Sequence, residues 1–303
     1  MLKSLIKKLP PIATLLAERD SLQRIVKASG FVPPGHFYSP VISVEEARRD
    51  ERRIFDTVPR ELLGISLNES KQLDLLEEFE AIYSSIDFPT TKSTTHRYYF
   101  ENPAYSYSDA IMLNCMMRRV RPKRVIEVGS GYSSCAMLDT NELFLNRSVR
   151  FTFIEPYPDL LKSLVRKDDL SAINIIEARL QDVSVDEFSS LSADDILFID
   201  STHICKTGSD VNFLLFEILP RLKSGVYIHI HDIFYPFEYP REWIFGGRSW
   251  NEVYALRAFL QFNEAFKIVM MNTFLEHFHE QRFAARMPLC LKNTGGSIWL
   301  RRE

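Results

Sequence analysis

Side chains that are able to move protons follow two apolar runs in the second half of the chain. The first run ends in Asp200, with His203 close behind it, and the second carries His229, His231 and Asp232. Carboxylates and imidazoles accept and release protons in general acid–base catalysis, and both also bind divalent metals. We therefore predict catalytic roles for Asp200, His203, His231 and Asp232.

The end of the second run decides which of these side chains share a face. If the strand continued, alternation would place His229 and His231 on one face and Asp232 on the other. We expect the strand to end at Ile230, so that His231 and Asp232 turn into a ligand crevice. Two alternatives stay open: His229 is a buried histidine satisfied by a neighbour, and His203 caps a turn before a helix.

A glycine-containing turn in residues 124–134, RVIEVGSGYSS, has the form of a ligand-binding loop. An apolar run leads into Gly129, Ser130 and Gly131, after which a helical segment begins. Glycine is favoured where a ligand must approach the main chain closely, because a side chain would block it. Ser134 replaces the third glycine of the dinucleotide motif G-x-G-x-x-G, so a pyrophosphate at the start of the helix is less favoured.

Three carboxylates accompany the first three apolar runs of this region. Glu127 lies in the run before the glycine turn, Glu155 ends the next run, and Asp182 follows the third. A carboxylate at the tip of the second strand is able to accept hydrogen bonds from both hydroxyls of a ribose. Asp182 is placed to receive the exocyclic amine of adenine. As alternatives, Glu127 pairs with Arg124, and Asp182 caps a following helix or turn.

The elements that position these side chains alternate between short apolar runs and helical stretches. Strands that are apolar on both faces and separated by helices indicate a parallel sheet covered on both sides, and hence a Rossmann-like α/β fold. The last two candidate strands leave no room for a full crossover helix, which predicts an antiparallel ending. The predicted strands are Arg124–Val128, Phe151–Glu155, Ile173–Ile176, Ile196–Asp200, Val226–Ile230, Phe266–Thr273 and Ser297–Arg301.

The first hundred residues lack this alternation. Their helical spacing predicts helices within residues 1–30, 44–56 and 69–83, and the prolines and glycines of residues 30–40 predict an extended link. We expect an N-terminal helical extension over residues 1–100 and a ligand-binding domain over residues 101–303.

Composition narrows the class of protein. The 303 residues carry a net charge of −3, which gives no general attraction to nucleic acid or to anionic membranes. The four cysteines form no CxxC pair and are expected to be reduced thiols of a cytoplasmic protein. No apolar run approaches the roughly 20 residues of a transmembrane helix. The N-terminus, broken by Pro10 and Pro11, predicts a short amphipathic segment, with a membrane-surface role as the minor alternative.

Several of these motifs resemble those of one enzyme family. The glycine turn, the acidic end of the second strand and the Gln-Asp pair after the third resemble the first three motifs of class I S-adenosylmethionine (SAM)-dependent methyltransferases. The closing runs FKIVMMNT and GGSIWLRR resemble the antiparallel hairpin of that family's seven-stranded sheet. The segments GFVPPGHFYSP, IEVGSGYSS, FIDSTHICKTGSDVNF and HIHDIFYPFEYPREW further resemble a bacterial subfamily associated with surface-glycan and secondary-metabolite pathways.

The resemblance, which covers roughly residues 100–303, implies SAM as the cofactor. On that basis Glu127 and Gly129 would hold the amino-acid end of the cofactor, and Glu155 would hold its ribose. The residues expected at the cofactor are Glu127, Gly129, Ser130, Gly131, Glu155, Asp182 and Asp200.

The same resemblance raises the question of a metal. Asp200, His231 and Asp232 lie where catechol-type O-methyltransferases carry ligands for Mg²⁺, which lowers the pKa of a substrate hydroxyl. Those enzymes use two strand-end carboxylates and an amide, whereas this chain has histidine and aspartate after the fifth strand. A histidine-rich set favours either a softer divalent ion or no metal and a histidine general base.

Methyl transfer to a hydroxyl of a small molecule or sugar is the expected reaction, with His231 or a carboxylate accepting the proton. Methylation of nitrogen and a homo-oligomeric state stay open. The aromatic segments His96–Asp109 and Phe234–Trp250 are expected to cover the cofactor and to wall the acceptor site, or else to form an aromatic core under a loop.

Two other classes of protein compete with this interpretation. A nicotinamide-dependent oxidoreductase would need the third glycine and a second mononucleotide-binding half, which the antiparallel ending disfavours. A non-catalytic SAM-binding module would not need the polar groups that follow the fourth and fifth strands.

Overall fold

The computed structural model describes the backbone of residues 10–28 and 30–303, and the side chains of residues 12–25 and 30–303. The parts of the N-terminal prediction that fall on residues 1–9 and 29 lie outside the described residues.

The described chain divides into two units by its internal contacts. One unit consists of the described residues up to Thr57 together with Pro240–Ser249. The other consists of Val58–Tyr239 together with Trp250–Glu303. The second unit contains the whole sheet and all the residues predicted to bind the cofactor or to take part in catalysis.

The described chain forms a single sheet whose strands are β1 (Arg124–Val128), β2 (Arg150–Ile154), β3 (Asn174–Ile176), β4 (Ile196–Ile199), β5 (Tyr227–His231), β6 (Phe266–Met271) and β7 (Ser297–Arg302). Their order across the sheet is β3-β2-β1-β4-β5-β7-β6. The strands from β1 to β5 pair in parallel, and β7 lies antiparallel between β5 and β6. The predicted α/β fold, a mostly parallel Rossmann-like sheet with an antiparallel ending, is therefore confirmed.

The α-helices of the described chain are α1 (Pro10–Ala28), α2 (Val44–Arg49), α3 (Glu51–Phe55), α4 (Glu69–Tyr83), α5 (Tyr107–Val120), α6 (Tyr132–Phe144), α7 (Asp159–Leu164), α8 (Val185–Ser189), α9 (Asp210–Phe213), α10 (Arg241–Phe245), α11 (Glu252–Leu260), α12 (Asn272–Phe278) and α13 (Glu280–Arg286). Across the described residues, none of these helices has the length and apolar character needed to cross a membrane.

Three predicted elements differ from the structure. β5 continues to His231, one residue beyond the predicted end. The helix predicted over residues 44–56 is divided at Asp50, whose backbone leaves the helical region, into α2 and α3. The connection between β6 and β7 was predicted to have no room for a full crossover helix. It contains two helices of seven residues, α12 and α13, but the two strands still pair antiparallel because these helices do not carry the chain across the sheet.

The register of the central strands brings the predicted polar residues to one edge of the sheet. Val128 of β1 pairs with Ile199 of β4, and Ile199 pairs with Ile230 of β5. The residues that follow these three are Gly129, Asp200 and His231. Since the strands are parallel, all three lie at the carboxyl edge, where open α/β sheets bind ligands.

Candidate active site

The glycine turn after β1 packs against the end of β4. Gly129 has φ +80°, and a Cβ atom at this position would lie 1.8 Å from the main-chain oxygen of Asp200. A side chain is therefore excluded at Gly129 by the protein itself. At Gly131 the nearest atom to such a Cβ would be a methyl carbon of Leu160, at 3.6 Å. The open space in the turn thus lies at Gly131.

Glu127 holds the start of α6. Its carboxylate is fully buried and accepts hydrogen bonds from the hydroxyls of Ser133, at 2.5 Å, and Ser134. The Ser134 hydroxyl also accepts the N–H of Gly131 at 3.0 Å. Burial raises the pKa of Glu127 to about 8, against the opposing effect of the two serines. The serine in place of a third glycine therefore ties β1, the glycine turn and α6 together.

Glu155 is brought to the same turn, whereas Asp182 is not. One carboxylate oxygen of Glu155 accepts the N–H of Ser130 at 3.2 Å, and the other accepts the N–H of Tyr157 at 2.8 Å. Glu155 is only half-buried, so part of its carboxylate faces solvent. Asp182 is exposed and forms a two-point pair with Arg179, at 2.8 and 3.0 Å.

His203 lies among three carboxylates. Its Nδ1 atom is 2.9 Å from Glu252, and its Nε2 atom is 3.4 Å from Asp200 and 3.6 Å from Asp232. The ring of Trp250 lies against His203, with 4.4 Å between centroids. The structure therefore joins predicted residues from the ends of β4 and β5 through a histidine that is itself buried.

The surrounding carboxylates keep His203 charged. Burial by itself lowers the pKa of the imidazole, but interactions with Asp200 and Glu252 outweigh this effect and raise it to about 10. His203 is therefore an imidazolium at neutral pH. Burial likewise opposes the ionisation of Asp200, but the positive charges of His231 and His203 outweigh it and lower the pKa of that carboxyl.

Burial and neighbouring charges also oppose each other in setting the pKa values of Asp232 and His231. Burial raises the pKa of Asp232, and the attraction of His231 and His203 does not fully offset it. Burial would lower the pKa of His231, yet the charges of Asp200 and Asp232 raise it. The Nδ1 atom of His231 is buried without a hydrogen-bond partner among the described residues. Asp232 is thus the more basic of the two strand-end carboxylates.

Backbone strain marks the same cluster. His203 has φ 59° and Asp232 has φ 56°, both in the left-handed region that non-glycine residues seldom adopt. Such conformations cost on the order of 1–3 kcal/mol each and concentrate at functional sites. The strain aims the two side chains at each other across the carboxyl edge.

The donor set does not fit a metal ion in this arrangement. Nowhere in the described parts of the chain are three or more His, Cys, Asp or Glu side chains placed to hold a metal. The Nε2 atom of His203 lies near both Asp200 and Asp232, the two predicted carboxylate ligands. In this structure the imidazole of His203 thus lies between the two carboxylates that were considered as metal ligands with His231.

Three further residues belong to the cluster and were not predicted. Glu252 begins α11, and Trp250 stands just before it. Asp109, at the start of α5, is buried and accepts the N–H of Gly296 at 3.1 Å, and its charge acts on His231. Asp109 and Trp250 are the last residues of the two aromatic segments that were expected near the site, whereas no local pattern marks Glu252.

His229 is buried in the sheet rather than directed into the site. Its ring lies 4.0 Å from that of Phe198 and 4.7 Å from that of Trp299. It is buried, as the alternative interpretation expected, but neither ring nitrogen has a hydrogen-bond partner among the described residues. Burial holds the pKa of His229 well below its usual value, so the ring is neutral.

The aromatic segment His96–Asp109 packs beside both polar groups. The ring of Tyr105 lies 5.1 Å from His231, and the ring of Tyr99 lies 5.9 Å from that of Tyr132 in the glycine-turn helix. Arg97 fixes the segment through an ion pair of 2.7 Å with Asp139. The buried rings of the segment thus form core, as one of the two predicted alternatives expected, and its covering of the cofactor stays a prediction.

The comparisons agree with the fold and the motifs. Residues 126–233 match the family model described as a methyltransferase domain. An uncharacterized protein of Archaeoglobus fulgidus is 36% identical over 164 residues, which cover 52% of this chain and 73% of that protein. The family match, together with the strand order and the glycine turn, identifies this protein as a methyltransferase. Residues 126–233 thus form a methyltransferase domain, and the strand order is that of the Rossmann-like fold of class I SAM-dependent methyltransferases.

The comparison with solved structures found distant matches. A Podospora anserina methyltransferase bound to S-adenosylhomocysteine (SAH) is 13% identical, with a TM-score of 0.41 over 90% of this chain and 99% of that one. The O-methyltransferase TomG of Streptomyces achromogenes, solved with SAM, is 14% identical, with a TM-score of 0.39 over 76% and 89% of the two chains. Likeness at this level does not extend to individual residues.

Proposed function

We propose that this methyltransferase transfers a methyl group from SAM to a hydroxyl of a small molecule or sugar. One observation carries the proposal: the cluster of Asp200, His203, His231 and Asp232 directly adjoins the glycine turn. The main-chain oxygen of Asp200 fills the space in which a side chain at Gly129 would stand. A proton acceptor and a nucleotide-binding turn are thereby neighbours at one sheet edge.

The residues around the turn fit a nucleoside cofactor. Glu155 has a half-buried carboxylate that is able to accept ribose hydroxyls, and Gly131 leaves the main chain accessible. The Ser130 hydroxyl is buried without a hydrogen-bond partner among the described residues, which leaves a polar group for a ligand. We assign Glu127, Gly129, Ser130, Gly131 and Glu155 to the cofactor site.

Asp182 and Asp200 complete the proposed cofactor contacts. Asp182 would release its ion pair with Arg179 and accept a hydrogen bond from the adenine amine. Asp200 would face the cofactor where its cluster adjoins the glycine turn. When bound, SAM supplies a methyl group on a positively charged sulfur. An ionised Asp200 at this junction suits that charge.

We assign different roles in proton transfer to His203, His231 and Asp232. His203 is already protonated at neutral pH, so it serves as the fixed cation between Asp200 and Asp232. The raised pKa of His231 makes it a weaker candidate base than its position alone suggested. Asp232, whose pKa burial raises, is the group that we assign to accept the hydroxyl proton.

A hydroxyl acceptor follows from this assignment. An uncharged hydroxyl loses its proton as its oxygen forms the new bond, and a carboxylate placed beside it as general base aids that loss. The ring of Trp250 beside His203 offers a flat apolar face against which a sugar or a planar acceptor would align.

Asp232→Asn tests the base. We expect it to reduce kcat by about 10²–10⁴-fold, because the substituted amide no longer accepts the proton, while SAM binding is kept. The measurement is transfer of a radiolabelled methyl group from SAM to a panel of hydroxyl and amine acceptors. Asp186→Asn, in the exposed first turn of α8, is the matched control. Transfer to amines only, or full activity in Asp232→Asn, would contradict the proposal.

A further inference from the structure

The smaller unit exposes apolar side chains along α1. Leu15, Leu22 and Ile25 are 63%, 62% and 61% exposed. At 3.6 residues per turn these positions fall along one side of the helix. A single helix with its apolar side in water is only marginally stable by itself, so this side calls for a partner.

Exposed aromatic rings follow α1 in the same unit. Phe31, Phe37 and Tyr38 are 93%, 79% and 68% exposed. His36 stacks on Phe37 at 4.3 Å between centroids, and the ring of Tyr38 contacts that of Phe37 at the same distance with a tilt of 49°. We name the six residues Leu15, Leu22, Ile25, Phe31, Phe37 and Tyr38 the N-terminal apolar surface.

The charge of the chain is unevenly divided around this surface. Residues 1–28 carry six Lys and Arg against two Asp and Glu, a net charge of +4. Residues 29–303 carry 31 against 38, a net charge of −7. The overall charge of −3 therefore conceals a basic N-terminal sequence, in which Lys3, Lys7 and Lys8 precede α1 and Arg19, Arg24 and Lys27 belong to α1 together with Glu18 and Asp20.

We propose that the N-terminal apolar surface binds an anionic lipid membrane, with α1 lying in the plane of the headgroups. Interfacial helices combine an apolar side, aromatic rings and basic residues in this way. Each Lys or Arg near an anionic leaflet adds attraction, and the leaflet supplies the apolar contact that α1 lacks in the described structure. A second copy of the chain is the less favourable occupant, because its own basic segment would repel this one.

Cosedimentation of the full chain with lipid vesicles tests the proposal. The probes are vesicles of phosphatidylcholine alone and of phosphatidylcholine mixed with phosphatidylglycerol. Two variants remove the surface in different ways: Leu15→Glu/Leu22→Glu/Ile25→Glu acts on α1, and Phe31→Ala/Phe37→Ala/Tyr38→Ala acts on the rings. Leu63→Ala/Phe216→Ala, at side chains 87% and 64% exposed in the other unit, is the matched control. Circular dichroism and SAM binding check that each variant folds.

We expect the native chain and the control to bind mixed vesicles in a salt-dependent manner. Each surface variant should bind these vesicles with an affinity lower by about tenfold or more. Absence of binding to mixed vesicles, or equal binding to both vesicle types, would overturn the proposal. So would a lipid-independent dimer, seen by sedimentation velocity, that the α1 variant dissolves, because the occupant would then be a second copy.

Discussion

Glu252 and His203 show how single residues set the chemistry of the site. Together with the interaction with Asp200, their contact of 2.9 Å raises the pKa of a buried imidazole to about 10. Asp200, His203, His231 and Asp232 were recognisable in the sequence, because each stands at or just beyond the end of an apolar run. Glu252 was not, since it lies far along the chain and its role appears only when α11 meets the end of β4. The sequence therefore indicated which groups are present, but not which of them carries the charge.

Glu252→Gln tests the origin of that charge. Without the Glu252 carboxylate, only Asp200 and Asp232 would oppose the effect of burial, and we expect the pKa of His203 to fall by about one unit or more. NMR titration of the histidine ring resonances measures the shift, with Glu264→Gln, at an exposed carboxylate, as the control. An unchanged pKa of His203 in Glu252→Gln would refute the assigned role of Glu252.

His203 also predicts a pH dependence of stability. Its folded-state pKa lies above the unfolded value of 6.5, so its stabilising contribution is complete below about pH 6.5 and is lost as the pH rises through about 10. We expect the difference in free energy of unfolding between the native chain and His203→Gln to shrink across this window, by an amount on the order of a few kcal/mol. Urea denaturation at a series of pH values measures it, and a constant difference would contradict the assignment.

Strands and turns were more predictable than short helices. The buried apolar runs marked all the strands of the sheet, because a parallel strand covered on both faces needs nearly continuous apolar residues. The helices α12 and α13, of seven residues each, were missed because they are too short to show a clear helical period. The function of Gly129 was only partly predictable, since its neighbour, the end of β4, is far along the chain.

The two glycines of the turn should respond differently to alanine. Gly129→Ala places a Cβ against the Asp200 oxygen at a positive φ, so we expect a loss of about 3 kcal/mol or more in the free energy of unfolding. Gly131→Ala meets only an ordinary contact at 3.6 Å, so stability should be largely kept while SAM binding weakens. Thermal unfolding and calorimetry separate the two effects. Equal destabilisation by both substitutions would show that Gly131 has no more space for a side chain than Gly129 has.

At the scale of the whole molecule, the sheet and the polar edge lie in one unit, and the helix with exposed apolar side chains lies in the other. Composition alone concealed this division, because opposite charges of the two parts nearly cancel. The separate role predicted for residues 1–100, the cytoplasmic location and the homo-oligomeric state stay predictions. The identity of the acceptor depends on contacts that no motif in the sequence specifies.

The most direct test is calorimetric titration of the full chain with SAM, SAH and NAD⁺, on the native protein and on Glu155→Ala. Glu177→Ala, which removes an exposed carboxylate just beyond β3, is the matched control. We predict binding of SAM and SAH but not of NAD⁺, with affinity lost in Glu155→Ala and kept in Glu177→Ala. Binding of NAD⁺ in place of SAM, or SAM binding that is indifferent to Glu155, would contradict the assignment of the carboxyl edge as the SAM site.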